Sequence, residues 1–457
     1  MTTKKHITLI VGVIGVGALL SSLLAGCCPY ENRHVNGAVL PIPASGNAQA
    51  SNLLITNWDP REETETVYVT YVAKDGNARK VLWEKEIAEY DGWYRPRAIF
   101  DESRIYYLAG ERLLAFDQTD GSIAWEASLS DLVSTSCEHC IQKANDRIVV
   151  LTTDYVLQGI DASSGELAWS VRLNDPSAAH EGFSIVGGQV VLSDRTETEG
   201  SDQAVHVLDP HSGSLVRMIA PTCPEADKSP WSREMFIGRT SDGGRVIFLY
   251  VCGGNPFAQR WDPTSGQVIW QVPLPEVADT SVNSFLLGRD TLYLDGYEGR
   301  LEISLSTGQT KSLPEPDPDY EFTLLEEYED ILIGKVRRTR GSTRHELWGL
   351  TGVAERIWSY ELETDTLLGV DSGSADWAYR VTPDGIVLIQ VLGGPEDHLS
   401  MVLLNPQNGQ VIQQTEKAID GGSLDGLAWD SDTAYITMRG DLYAIDLATL
   451  TITPEWP

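Results

Sequence analysis

An all-β chain built of short antiparallel sheets in tandem is what this sequence predicts, and three observations predict it. A unit that ends an apolar strand on Asp, turns through small residues to Gly and returns on a strand carrying Trp appears three times nearly intact: Ala115-Phe116-Asp117 to Gly121 and Trp125, Gly159-Ile160-Asp161 to Gly165 and Trp169, and Arg260-Trp261-Asp262 to Gly266 and Trp270. Weaker copies extend the series at intervals of about forty to fifty-five residues, the length of one propeller blade of four short strands. Composition agrees: 41 Gly and 22 Pro in 457 residues, with few long helical periodicities, suit a turn-rich β chain.

The turn chemistry explains the unit. Asp can accept hydrogen bonds from the turn's own backbone, and Gly can take a positive φ that other residues resist. Trp adds a large apolar surface to the returning strand. Asp209 and Gly213 keep the turn and place Arg217 where Trp is expected, while Asn405 and Gly409 keep it with Gln413. Ser304 to Gly308 keeps the Gly, Leu350 loses the Asp but retains Trp358, Asp75 is followed by Trp83, and Asp446 marks the last copy. A continuous apolar run precedes almost every anchor, as in Ile148-Val149-Val150-Leu151 and Ile386-Val387-Leu388-Ile389. Such runs fit strands covered on both faces by neighbouring sheets. Nine anchors result, but the first copy shows no clear innermost strand. The expectation is therefore an eight-bladed β-propeller of four-stranded blades over 52–457, with seven or nine as the alternatives.

The Ala/Gly-apolar-Asp-x-x-x-Gly-x-x-x-Trp unit resembles the repeat of the PQQ-like, quinoprotein-type β-propellers, a family that includes quinone-dependent dehydrogenases and non-catalytic outer-membrane assembly lipoproteins. The resemblance runs from about residue 60 to the C-terminus. A WD40 reading competes, but Trp-Asp occurs in this register only at Trp261-Asp262.

Ahead of the repeats, residues 1–26 read as a secretion signal: Lys4-Lys5, then the apolar run from Ile7 to Leu24. A membrane-spanning helix is the competing reading of a run that long. The sequence Leu24-Ala25-Gly26-Cys27 resembles a bacterial lipobox, which implies lipidation of Cys27, and Cys28 rather than Asp at the next position implies sorting to the outer membrane. Several acyl chains, at roughly 0.8 kcal/mol per buried methylene, would hold the chain to a bilayer. The stretch 27–51, rich in Pro, Gly, Asn, Ala and Ser, reads as the lipidated terminus and a flexible tether.

The formal net charge is −32. That excludes a nucleic-acid partner, which needs concentrated Lys and Arg, and favours basic over anionic partners; a halophilic or marine source would produce the same balance. Six cysteines divide into the anchor pair and four others. Cys137 and Cys140 lie between one repeat and the next; Cys223 follows an outer strand and Cys252 ends a second strand. In an exported chain these pair as disulfides, and propeller connectivity puts all four on one face. Cys223–Cys252 would contribute about 3.6 kcal/mol and Cys137–Cys140 about 2 kcal/mol in the chain-entropy account. A redox CxxC, haem attachment and a four-Cys zinc site are the alternatives; Ile141, not His, follows Cys140.

No His-Glu-x-x-His, Gly-x-Ser-x-Gly or phosphate-cradling Gly-x-x-x-x-Gly-Lys occurs. The acidic run from Glu315 through Asp330 has Pro where a calcium loop needs Gly, and reads as a solvated loop and strand edge. The resemblance implies two functions. One is a non-catalytic, lipid-anchored, monomeric propeller that binds envelope proteins and holds neither cofactor nor metal. The other is a PQQ-dependent dehydrogenase; its relatives set a vicinal Cys-Cys disulfide against the quinone and hold calcium with carboxylates and Asn. The only vicinal pair here, Cys27-Cys28, belongs to the anchor, so the scaffold is the expected function.

Overall fold

The computed structural model describes residues 39–42, 52–58, 67–75, 78–87 and 97–454 except 134–136, 138, 175–182, 196–202, 225–229, 239–244, 253–254, 275–281, 297–298, 314–319, 339–344, 352–354, 363–376, 393–397, 419–425 and 439–440. The signal, the lipobox residues Leu24, Ala25, Gly26 and Cys27, and Cys28 lie outside the described residues.

Among the described residues the chain forms nine four-stranded sheets, each with its strands in sequence order, arranged as the blades of a β-propeller. Blades 1 to 9 span 39–87, 98–128, 141–172, 183–219, 230–273, 282–313, 320–361, 377–418 and 426–454. All pairings are antiparallel, as hairpin connections require. First strands of neighbouring blades approach one another, so they face the axis. Fourth strands form the circumference and show the exposed patterns of an outer edge, as in Leu167–Arg172.

The expected eight blades become nine because blade 1 is complete. Its innermost strand is Val39–Ile42, paired with Asn52–Trp58 from Val39 opposite Ile55 to Ile42 opposite Asn52. This strand falls inside the stretch read as tether, so the propeller begins before Asn52. Its Leu-Pro-Ile sequence hid it. Pro cannot donate to a ladder, but it is tolerated on an edge strand, and the innermost strand of a blade is such an edge.

The core is not one mass. It divides into nine apolar clusters, each lying between two consecutive blades, including one that joins blade 9 to blade 1 through Tyr435, Leu442 and Ala444 against Leu53, Ile55 and Val72. This arrangement explains the continuous apolar runs. Side chains alternate faces along a strand, so in blade 3 Ile148 and Val150 pack toward blade 2 while Val149 and Leu151 pack toward blade 4. Each face needs its own apolar set.

Seven fourth strands carry a register shift at the same place, one residue before the repeat's Trp position. In blade 2, Ala115 pairs with Trp125 and Phe116 with Ile123, leaving Ala124 as the extra residue. A bulge bends the strand and re-aims the following side chain. Here it turns that side chain toward the next blade.

Candidate interaction surface and the seams that present it

The repeat's Asp, Gly and Trp work across two blades. Asp161 accepts hydrogen bonds at Oδ1 from the backbone N–H groups of Ser163 (2.9 Å) and Ser164 (3.1 Å), and Gly165 N–H closes the turn on Asp161 O at 2.8 Å. Asp117, Asp209 and Asp262 make the same contacts with Thr119, His211 and Thr264, closed by Gly121, Gly213 and Gly266. Onto this turn docks the Trp of the preceding blade. Trp125 lies where a Cβ on Gly165 would be, 2.7 Å from its ring, and its Nε1–H donates to Ala162 O at 3.1 Å. Trp83 does this to Gly121 and Gln118 O (3.0 Å), Trp169 to Gly213 and Pro210 O (2.7 Å), and Trp358 to Gly409 and Pro406 O (2.8 Å). Trp270 caps Gly308 and donates to Leu305 O at 2.8 Å. The turn Gly is thus fixed twice, by its positive φ and by the indole that covers it.

Two blades build the latch without indole. Arg217 lays its stem over Gly266 and donates to Pro263 O at 3.0 Å and to Thr264 O. Gln413 donates to Thr449 O of blade 9. Arg217 therefore takes the Trp place and covers the turn, with a charged stem instead of an indole. Blades 6 and 9 have neither bulge nor latch. The seam from blade 6 to blade 7 is filled instead by Phe322 and Trp348, with the Arg300 guanidinium 4.2 Å from the Phe322 ring centroid.

Sequence reading missed a second set of donors. Arg104 donates to Ala162 O (2.6 Å) and Ser163 O (3.0 Å), and Arg260 donates to Leu305 O, each on the next blade's turn. Their signal is faint: a single Arg at the border of an apolar strand. Of the acidic run read as a solvated loop and strand edge, residues 314–319 lie outside the described residues and the rest is largely strand. Tyr320–Tyr328 is the first strand of blade 7, and Glu327 accepts hydrogen bonds from Tyr293 Oη–H (3.0 Å) and Arg289 N–H (2.8 Å) of blade 6. Burial pushes the neighbouring Glu326 carboxyl up, opposed by Arg380.

Asp161 shows the opposite behaviour. The Ser163 hydroxyl bond, more than the nearby Arg147, lowers its pKa to about 2. A folded pKa below the unfolded value of about 3.9 gives stability that is present above that value and is lost as pH falls toward 2. Asn405 holds the equivalent turn of blade 8, its Oδ1 accepting from Gln407 N–H at 2.8 Å. Asp161→Asn should therefore keep the turn and flatten the acid limb of the melting curve between about pH 4 and pH 2, read by circular dichroism.

The four propeller cysteines pair as Cys137–Cys140 and Cys223–Cys252. Cys137 and Cys140 are wholly buried in the cluster between blades 3 and 4, unlike an accessible redox CxxC. No group of three metal-ligating side chains occurs among the described residues, and no described helix is long and apolar enough to cross a membrane.

What the latches leave outward is apolar. Ile123, Leu167, Leu215, Val216, Met218, Val268, Ile269, Ile357, Val411, Ile412 and Leu82 are exposed, and all lie on fourth strands. The bulge is the cause, because it turns two consecutive residues to solvent just before the latch. Five of these residues sit on blades 4 and 5, whose fourth strands Leu215–Ile219 and Gln267–Pro273 contain no acidic residue. On a chain of net charge −32 that apolar arc without acidic residues stands out.

Fold and repeat define a β-propeller of PQQ-like repeats. Residues 68–229, from blade 1 to the end of the fourth, match the family model described as outer membrane protein assembly factor BamB, so this stretch carries the repeat of that family. No curated protein sequence matches the chain. Among solved structures, BamB from Moraxella catarrhalis is similar at 14% identity, covering 89% of this chain and 98% of its own, with a TM-score of 0.43. A eukaryotic initiation factor is similar at 8% identity over 86% of this chain and 96% of its own, with a TM-score of 0.50. The dihydro-heme d1 dehydrogenase NirN is similar at 11% identity over 76% and 71%, with a TM-score of 0.43.

Proposed function

We propose that the chain is a non-catalytic, lipid-anchored propeller of the bacterial outer membrane that binds other envelope proteins. The match of residues 68–229 to the assembly-factor family carries this reading. The site supports it: the conspicuous polar and aromatic side chains of the repeat hold blades together, and the surface they leave is an apolar circumference suited to protein contact. Cys27 is the proposed anchor, with Leu24, Ala25 and Gly26 as its recognition sequence.

Capture of tagged protein from detergent-solubilised envelope, compared with a Leu215→Ser/Ile269→Ser variant, tests the scaffold. Both side chains are exposed, so the variant should keep its unfolding free energy to within about 0.5 kcal/mol of wild type and lose at least one specifically captured envelope protein. Identical capture by variant and wild type removes blades 4 and 5 from the interface. Mass spectrometry of the mature protein should find acyl chains on Cys27; an acyl-free, water-soluble mature form rules out the anchor. Saturable PQQ binding with Ca²⁺ and alcohol-dependent dye reduction would move the assignment to the dehydrogenase.

A further inference from the structure

The seam between blades 4 and 5 is built unlike the others. Its latch is Arg217 rather than Trp, and it alone among the described seams carries a disulfide joining the exit of one blade to the next. Cys223 follows the fourth strand of blade 4, and Cys252 ends the second strand of blade 5. The same linker is held to blade 5 by Thr222, whose carbonyl accepts from Tyr250 Oη–H and Gln271 Nε2–H, both at 3.1 Å. The two disulfides of the molecule differ in access. Cys137 and Cys140 are fully buried, whereas Cys252 is buried and Cys223 is only partly so.

We infer that Cys223–Cys252 is a redox-sensitive lock on this seam, standing in for the indole that Arg217 replaces. A dithiol reductant attacks the reachable Cys223 sulfur as thiolate, and the Cys252 thiolate leaves and takes up a proton. The second thiol of the reductant then displaces Cys223 from the mixed disulfide. Two electrons and two protons pass to the protein, which gains two thiols, and the reductant leaves as a cyclic disulfide. After reduction the seam keeps its apolar cluster, the Arg217 bonds and the Thr222 contacts, but the covalent tie between the blades is gone. Blades 1, 2, 3, 5 and 7 keep their Trp latches throughout, so opening is confined to one place in the ring.

Hydrogen–deuterium exchange on the full chain, oxidised and after dithiothreitol, reads the lock directly, with thiol alkylation and mass mapping in parallel. Cys223 and Cys252 should label before Cys137 and Cys140. Exchange should rise at least tenfold in peptides covering 203–219 and 245–252 and stay unchanged over 112–128 and 156–172. Cys223→Ser/Cys252→Ser should show the same local rise without reductant, and Arg217→Trp should return the reduced protein to within twofold of the oxidised wild type. Unchanged exchange with both thiols labelled, a uniform rise in every blade, or prior labelling of Cys137 and Cys140 overturns the lock. If Arg217→Trp does not fold, the double serine variant decides: exchange equal to that of oxidised wild type also overturns it.

Discussion

Trp169→Ala is expected to lower the unfolding free energy by about 3–5 kcal/mol, the cost of truncating a buried aromatic and leaving its cavity. The indole is 8% exposed and belongs to the core between blades 3 and 4. It covers Gly213 and donates to Pro210 O at 2.7 Å, so its loss also removes a buried hydrogen bond. Trp125→Ala and Trp270→Ala should behave alike, because each ring has the same cover and the same kind of carbonyl acceptor. At about 2.1 cal/mol/K of unfolding entropy per residue over some 400 residues, such a loss moves Tm by only about 4–6 °C, so urea midpoints are the better measure. Arg217→Ala should cost less, about 1.5–3 kcal/mol, since it removes charged hydrogen bonds and a half-exposed stem rather than a buried ring. Three Trp variants that unfold with the wild type would make these rings a ligand platform and not a latch.

The repeat was legible because its chemistry is local. Asp161, Gly165 and Trp169 lie within one hairpin, and turn, positive φ and returning apolar strand can all be read from that short stretch. The partner of each element was not legible, because it lies on a different blade. Nothing near Trp125 in sequence says that its acceptor is Ala162 O. The role of Arg217 was hidden for the same reason: it exists only once Gly266 is brought beneath it. Blade number failed on one strand, Val39–Ile42, whose Pro41 resembles a tether residue unless its position at the inner edge is known. The exposed apolar circumference was hidden too. Ile123 and Ala124 look like a buried pair in sequence, and only the bulge turns both outward.

Gly165→Ala adds one methyl group and is expected to cost nearly as much as deleting an indole. Two separate terms make up the loss. The residue sits at φ +77°, where an L side chain costs roughly 1–2 kcal/mol. Its Cβ would also come within 2.7 Å of the Trp125 ring, and displacing that packed ring adds about 1–3 kcal/mol. Gly110 separates the terms within the same protein. It has φ +60°, but a Cβ there meets nothing nearer than Leu132 Cδ2 at 4.0 Å. Gly110→Ala should therefore show the backbone term alone, about 1–2 kcal/mol. Removing the indole first should abolish the difference: in a Trp125→Ala background, Gly165→Ala should cost no more than Gly110→Ala. Urea unfolding of the three single variants and the double variant measures this coupling as a double-mutant cycle. A coupling energy near zero would mean that the turn glycine serves its own hairpin only, and that the seam between blades 2 and 3 rests on the apolar cluster without a latch.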